Sequence, residues 1–344
     1  MKTIALLLVS VLCGSCAGPA DAVPGAMTLG DPIAPARLMR EARDSDHGGR
    51  DLYVPSRPMR MNGAVWVLDE GNDVLVRFDS TLARATTFGR KGQGPGEIDF
   101  AQDVARAGDR LVIAETGNAR FSVFDTAGAF VRTRPSARPP RYVATTGGAL
   151  LATLPGGEAY VYRIGIGGDA APLATVPTAI RRIAEADSTR YPSAGAFIAS
   201  AEDGTLYVLD PSVLALSVFD RRGRLVSARL LPDPLRAELL DRRLEQRRAW
   251  GARATAILDQ PATKRMTLAR DGRLLLLVPL PRIWALLIDP RSGAARPLLL
   301  PPPGRERDIL WAARDASLEG DRVLVTSGSQ LYEFRLDAAP DQSP

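Results

Sequence analysis

The stretch WVLDEGNDVLVRFD, residues 66–79, recurs in altered form as VIAETGNARFSVFD at residues 112–125. Both copies contain two runs rich in β-branched and aromatic residues, joined by an acidic turn with Gly-Asn, which is typical of paired strands. A third copy keeps the two runs at residues 207–210 and 216–220, and looser copies follow within residues 274–289 and 323–334. A strand pair that recurs along the chain predicts a repeat architecture made of β-strands.

Six glycine turns of the kind that closes a β-hairpin divide the chain into units. Their spacings are 45, 40, 56, 68 and 48 residues, counted between Gly63, Gly108, Gly148, Gly204, Gly272 and Gly320. Units of about 40 to 50 residues are typical of four-stranded propeller blades, which bury their two apolar faces against neighbouring blades. We therefore predict an all-β fold, a six-bladed β-propeller of four-stranded antiparallel blades with one helical insertion, over residues 51–337.

The second unit illustrates the predicted blade. Its four strands are expected at residues 103–107, 111–115, 120–125 and 129–134. The sixth unit lacks a fourth strand, because only a polar tail remains at residues 338–344. Part of the linker at residues 18–50, or a few residues beyond it, is therefore expected to complete that blade and close the ring.

Two of the units are longer than the others. Residues 233–258, between blades 4 and 5, begin with Asp233 as a helix N-cap and Pro234 at the first helical position. Two interpretations remain for this helical insertion: a lid over one rim, or a helix packed against a blade. The second long unit is predicted to contain a loop at residues 180–194.

The first 17 residues have the form of an export signal, with Lys2 followed by a short apolar run. Residues 12–16, LCGSC, resemble a bacterial lipoprotein signal in which Cys16 becomes the lipid anchor. Cleavage after Ala17 without lipidation is the alternative. We expect an exported protein, periplasmic or anchored to the outer membrane, that touches the membrane only through this N-terminal lipid.

Charge and rare residues exclude several functions. The chain has 44 Lys plus Arg against 39 Asp plus Glu, a net charge of +5, and its arginines are spread over the sequence, which disfavours nucleic-acid binding. Its two cysteines lie at the N-terminus, so the mature body has neither a disulfide nor a thiolate metal site. The single histidine, His47, lies in the polar linker, which disfavours a Ser-His-Asp triad or a zinc site.

The acid, Asn and Phe-Asp positions of the first two units resemble the NHL repeat of six-bladed β-propellers. Residues 88–97, FGRKGQGPGE, are similar to the blade-linking segment of exported bacterial propellers. The resemblance is strongest over residues 60–135, and it implies the fold more than a function, because propellers include binding proteins, lyases and lactonases. The glycines of this segment match neither the dinucleotide-binding motif GxGxxG nor the P-loop motif GxxxxGK followed by Ser or Thr. They are therefore predicted to turn the chain. The alternative is that backbone amides and Arg90 hold an anion.

Two function hypotheses follow. Four arginines align near the starts of inner strands and would form an anion-binding rim at the channel mouth: Arg60, Arg141, Arg265 and Arg314. We expect a monomeric, non-catalytic binding or interaction propeller of the bacterial cell envelope, without cofactor or metal, whose partner is a protein, peptide or small anionic ligand. The alternative is a calcium-dependent hydrolase or lactonase that uses channel carboxylates, for which the available acids are Asp103, Glu202, Asp203 and Asp271.

Overall fold

The computed structural model describes residues 24–42, 52–186, 195–250 and 263–336. Six antiparallel sheets of four strands form the blades of a β-propeller. From inner to outer strand, blades 1 to 3 contain Pro55–Met61, Ala64–Asp69, Val74–Phe78 and Ala85–Phe88; Ala101–Ala107, Arg110–Glu115, Arg120–Asp125 and Phe130–Pro135; and Val143–Thr146, Ala149–Ala152, Ala159–Ile164 and Ala170–Thr175. Blades 4 to 6 contain Phe197–Ser200, Leu206–Asp210, Ala215–Phe219 and Leu225–Leu230; Met266–Leu268, Leu274–Leu277, Ile283–Asp289 and Ala294–Leu299; and Ala313–Glu319, Arg322–Ser327, Gln330–Arg335 and Arg37–Glu41. The predicted six-bladed, all-β architecture is confirmed.

The sixth blade takes its outer strand from the other end of the chain. Arg37–Glu41 pairs antiparallel with Gln330–Arg335, and the inner strands of blades 6 and 1 lie side by side. Residues near the two ends of the chain therefore share one sheet, whose hydrogen bonds close the ring.

The segment before that strand follows the outer edges of two other blades. Gly25–Ala26 pairs parallel with Leu225–Leu230, and Thr28–Leu29 pairs parallel with Ala294–Leu299. Blades 4 and 5 thus each gain a short fifth strand. Covering an outer edge hides unpaired backbone groups that would otherwise be open to another chain.

Within the described ranges three helices connect the later blades: α1 is Thr178–Ala186, α2 is Asp233–Trp250 and α3 is Arg305–Trp311. The helix predicted to start at Asp233 is present, and its buried leucines share a hydrophobic cluster with residues of blades 4 and 5. Residues 180–186 were predicted as loop, which is wrong, because they belong to helix α1. This helix buries Ala179 and Ile180. Helix α3 was not predicted. Residues 187–194 lie outside the described ranges. So do residues 251–262, which include the last part of the predicted insertion.

The second and third strands form the core of each blade. Every residue of Ala64–Asp69 and of Leu274–Leu277 is buried. A sheet that packs on both faces has no solvent side, so its strands need not alternate apolar and polar residues. The uninterrupted run of leucines in blade 5 follows from this stacking.

The two ends of the ring differ in their connections. We call the end with the turns between inner and second strands the lower face, and the opposite end the upper face. Asn62 and Gly63, in the blade 1 turn, have φ values of 52° and 73°, as a two-residue hairpin turn of type I′ requires. Because each blade has four strands running alternately up and down, the connections to the next blade, including all three helices, lie on the upper face.

Candidate functional site

An ion pair in the central channel joins blades 1 and 2. The Arg57 guanidinium donates to both oxygens of Asp103, with Nη2 2.7 Å from Oδ2, and its Nη1 donates to the Met266 carbonyl oxygen at 3.3 Å. Since these contacts connect inner strands of blades 1, 2 and 5, the side chain crosses the centre of the ring. Burial lowers the pKa of Arg57, but the carboxylates of Asp103 and Asp315 outweigh burial and raise it above its usual value.

Two buried aspartates tie neighbouring inner strands together. Asp103 Oδ2 accepts from the Val143 N–H of blade 3 at 2.8 Å, and Asp315 Oδ2 accepts from the Arg57 N–H of blade 1 at 2.9 Å. Each is the third residue of its strand, beside a break in strand register. These carboxylates therefore serve as links between blades.

Arg57 was not singled out by the sequence analysis, although one signal for it exists. Its φ is +50°, and the register of its strand shifts between Ser56 and Met59. Pro58 follows it, and a proline inside a strand indicates a bulge or an edge. The bulge turns the Arg57 side chain into the channel.

At the upper face, three of the four predicted arginines gather around Glu70 and Tyr142. Arg265 Nη2 lies 2.9 Å from Glu70 Oε1, and Arg314 Nη2 lies 3.5 Å from Glu70 Oε2. The guanidinium carbons of Arg265 and Arg141 lie 5.2 and 5.7 Å from the centroid of the Tyr142 ring. The turn acid of blade 1 and an aromatic ring of blade 3 thus hold arginines from three blades at one mouth.

A lysine adds to the positive charge of this mouth. Lys264 Nζ donates to the carbonyl oxygens of Trp311 and Ala313 at 3.1 and 2.7 Å. Burial lowers its pKa, and repulsion from Arg314 lowers it further. We call the set of Lys264, Arg265, Arg314, Arg141, Glu70 and Tyr142 the mouth cluster. It sets four cations against one carboxylate.

Arg265 is the centre of the mouth cluster. Beneath the mouth, its Nε lies 3.5 Å from Asp315 Oδ2. Burial lowers its pKa, but Asp315, Tyr142 and Glu70 together outweigh burial and raise it. Its Nη1 is buried and has no hydrogen-bond acceptor within the described ranges. A buried donor without an acceptor costs about 1–3 kcal/mol, so this atom is a place where a ligand oxygen would be stabilised.

Arg60 lies at the opposite end of the ring. It is the sixth residue of Pro55–Met61 and directly precedes the lower-face turn. Its guanidinium pairs with Glu333, and its Nε lies 3.8 Å from Glu319 Oε2. The structure therefore brings Arg141, Arg265 and Arg314 together and leaves Arg60 out of their cluster.

A pocket of about 930 Å³ opens beside the mouth, between blades 3 and 4 and against α1. Arg141 lines it and also belongs to the mouth cluster, Arg181 of α1 contributes a second cation, and Glu158, Glu185 and Asp210 contribute carboxylates. In its wall the Tyr160 hydroxyl donates to Asp210 Oδ2 at 2.6 Å. Burial, and next the Asp210 charge, raise the pKa of Tyr160 well above its usual value. Tyr160 therefore stays protonated, with its proton directed at Asp210.

The four acids considered for calcium do not converge. Asp103 is engaged with Arg57, whereas Asp203 and Asp271 accept backbone N–H groups in lower-face turns, from Thr205 at 2.8 Å and Arg273 at 3.0 Å. Glu202 is an exposed residue beside one of those turns. In the part of the chain that the structure describes, no three His, Cys, Asp or Glu side chains are placed to share a metal ion.

The recurring acid and Asn of the repeat hold the turn that follows the second strand. Asp69 accepts from the Tyr53 N–H at 3.0 Å and from Asn72 Nδ2 at 2.8 Å. The equivalent contacts of the second blade are Asp99 N to Glu115 Oε2 at 3.2 Å and Asn118 Nδ2 to the same oxygen at 2.6 Å. In both blades the acid joins this turn to the segment that leads into the inner strand.

In the glycine-rich segment between blades 1 and 2, the carboxylate of Glu97 occupies the position where an anion could bind. The Glu97 carboxylate accepts from the Gly94 N–H at 2.7 Å and lies 2.7 Å from Arg90 Nη2. Arg120 donates to the carbonyl oxygens of Gln93 and Gly94 at 2.8 and 3.2 Å, and to that of Glu97 at 2.7 Å. These contacts leave the segment as a fixed turn whose amide and Arg90 are already engaged.

Residues 1–23 lie outside the described ranges, and with them the export signal and Cys16. Lipidation of Cys16 stays a prediction. None of the helices in the described ranges is both long and apolar enough to cross a membrane.

Comparisons with known proteins were made for sequence and for structure. No protein-family model and no curated protein sequence matches this chain. The "Putative exported protein (BF0058)" of Bacteroides fragilis is similar in structure, with a TM-score of 0.53 and 12% identity over 90% of this chain and 100% of that one. A gluconolactonase from Xanthomonas campestris has a TM-score of 0.51 and 15% identity, over 92% and 97% of the two chains. Virginiamycin B lyase from Staphylococcus aureus has a TM-score of 0.52 and 11% identity, over 82% of this chain and 80% of that one. These likenesses show the fold alone.

Proposed function

We propose that this protein is a non-catalytic, ligand-binding propeller of the bacterial cell envelope, which binds an anion at the mouth cluster. The supporting observation is the buried Nη1 of Arg265, a charged donor without an acceptor in the described ranges. Arg141 and Arg314 stand around it and share its partners Tyr142 and Glu70. A carboxylate or phosphate oxygen would satisfy this donor and relieve the repulsion between Arg314 and Lys264.

The pocket beside the mouth favours a ligand larger than a simple ion. Its volume, about 930 Å³, lies in the range of small-molecule sites. Arg141 connects it to the mouth cluster, so one ligand would place its anionic group at the mouth beside Arg141 and its body against α1. The ligand class we propose is a small organic acid, an organic phosphate or an acidic peptide end.

Export to the cell envelope is part of the same proposal. The first 17 residues support it, because they have the form of an export signal that contains Cys16. The structural likeness to a protein described as a putative exported one supports it too. We propose that the chain acts as a monomer and needs no cofactor.

Isothermal titration with citrate as the probe tests the anion site. The Arg141→Ala and Arg314→Ala variants should each bind citrate at least roughly tenfold more weakly, because each loses one charge-assisted contact of about 1.5–3 kcal/mol. Arg77→Ala is the matched control, since Arg77 is an exposed arginine on the third strand of blade 1. Equal affinity in all four proteins would refute the site.

The alternative, a calcium-dependent hydrolase or lactonase, predicts a different response. Calcium bound by channel carboxylates would raise the melting temperature. Because those carboxylates are engaged with Arg57, Arg265 and backbone amides, we expect no shift on adding calcium. A rise in melting temperature with calcium would favour the alternative.

A further inference from the structure

A second group of arginines lines a groove on the lower face, between blades 2 and 3. The groove has a volume of about 630 Å³. Four arginines and one glutamate supply its charged lining: Arg106, Arg110, Arg132, Arg134 and Glu202. None of these arginines belongs to the mouth cluster. We call this set the lower groove.

The strand register explains why the arginines share one surface. Arg132 lies opposite Val123, and Arg134 lies opposite Phe121, in the pairing of the outer with the third strand of blade 2. Alternate residues of a strand point to the same side, so both arginines face blade 3. Val112 and Val123 of blade 2 and Leu150 of blade 3 supply apolar surface between them.

Among the residues that the structure describes, carboxylates do not neutralise these arginines as they neutralise arginines in the channel. Arg106 Nε and Arg134 Nη1 donate to the carbonyl oxygens of Gly108 and Ile164, at 2.8 and 3.2 Å. Arg110 Nε lies 3.8 Å from Oδ1 of Asp109, which is exposed. Such exposed, distant pairs contribute little.

Arg132 and Arg134 also repel each other. Arg132 has no ion-pair partner among the residues that the structure describes. Burial lowers the pKa of Arg134, and the charge of Arg132 lowers it further. An anion between the two guanidinium groups would turn this repulsion into attraction.

We propose that the lower groove binds a small organic anion with at least two negative charges, of the phosphate monoester class. Arginine forks match the geometry of phosphate oxygens, and three surplus positive charges favour a dianion over a monoanion. The apolar surface of Val112, Val123 and Leu150 would contact the organic part. The volume is that of a small-molecule site. This site is separate from the mouth cluster and is independent of the function proposed for it.

Titration with phenyl phosphate, and with inorganic phosphate for comparison, tests the groove. The wild-type protein should bind phenyl phosphate at least about threefold more tightly than inorganic phosphate, because only the ester reaches the apolar surface. The Arg110→Ala/Arg132→Ala variant should lose at least about tenfold in affinity for phenyl phosphate. Both residues lie at the surface of the groove, and the melting temperature of the variant checks its folding.

Controls separate this site from the mouth cluster. Because the mouth cluster would also accept an organic phosphate, the titration is repeated in the Arg141→Ala/Arg314→Ala background. In that background phenyl phosphate should still bind at the groove, and adding Arg110→Ala/Arg132→Ala should remove this binding, whereas Arg77→Ala alone should bind as the wild type does. The groove proposal is overturned if the mouth variant no longer binds phenyl phosphate, if adding the groove substitutions to it changes nothing, or if the wild type binds neither phosphate.

Discussion

At the scale of single residues, Arg57 shows how the channel is held together. Its left-handed backbone before a proline is a strained conformation, costing of order 1–3 kcal/mol. The contacts with Asp103, Asp315 and Met266 maintain it. The channel centre therefore has a structural role.

A double-mutant cycle tests this role. Asp103→Asn keeps an acceptor for the Val143 N–H but leaves Arg57 buried without its counter-charge, so we expect a loss of about 3 kcal/mol in unfolding free energy. The Arg57→Gln/Asp103→Asn variant should lose less than the sum of the two single variants, because neither charge remains unpaired. Denaturation by guanidinium chloride measures all four proteins. Additive losses would show that the pair is not coupled.

The candidate site could be predicted from the sequence in part. Arg141, Arg265 and Arg314 stand near the starts of inner strands, and their convergence follows from strand direction alone. Arg60 was aligned by its glycine turn, but the inner strand of blade 1 starts five residues before it, so Arg60 lies at the other end. Arg57 was missed because a bulge, and not strand alternation, turns its side chain inward.

At the scale of elements, successive blades touch through the turn between third and outer strands. A Cβ on Gly223 of blade 4 would lie 1.8 Å from the carbonyl oxygen of Leu173, on the outer strand of blade 3. A Cβ on Gly128 of blade 2 would similarly meet the Phe88 ring of blade 1 at 2.0 Å. The absence of a side chain at these turns lets the blades approach.

Gly223→Ala tests this contact, with Gly272→Ala as its matched control. The two glycines have similar φ values, +78° and +87°, but nothing lies within 4 Å of a Cβ at Gly272. The left-handed conformation alone should cost the control about 1–2 kcal/mol. Gly223→Ala should cost at least about 1 kcal/mol more, because blade 3 has to shift. Equal unfolding free energies would exclude a role for the close approach.

The elements themselves were predicted well where the repeat is regular. The strands expected in blade 2 agree with the observed ones to within two residues at each end. Helix α1 was missed because it has only nine residues, although its apolar residues Ile180, Ile183 and Ala184 recur at helical spacing. The parallel strands at residues 25–29 have two residues each, too few for any pattern.

At the scale of the whole molecule, ring closure depends on a strand far from its partner in sequence. Removing residues 1–42 would delete Arg37–Glu41 and leave Gln330–Arg335 as an open edge. We expect the melting temperature to fall by about 10 °C or more, corresponding to several kcal/mol, or the protein to aggregate. Removing residues 1–23 is the matched control and should leave the melting temperature unchanged. Equal melting temperatures for the two truncations would contradict closure by this strand.

The net charge of +5 conceals an uneven distribution. Cations outnumber carboxylates in the mouth cluster and in the lower groove, at opposite ends of the ring, while the channel between them contains paired charges. The ends of the propeller are therefore where anions would be attracted.

Anomalous diffraction from crystals grown with low-millimolar selenate tests the mouth cluster most directly, because selenium marks the position of a bound oxyanion. We expect a peak that places a selenate oxygen about 2.7–3.2 Å from Arg265 Nη1, and loss of that peak in Arg141→Ala/Arg314→Ala crystals. Crystals with no selenate at Arg265 would contradict the central claim.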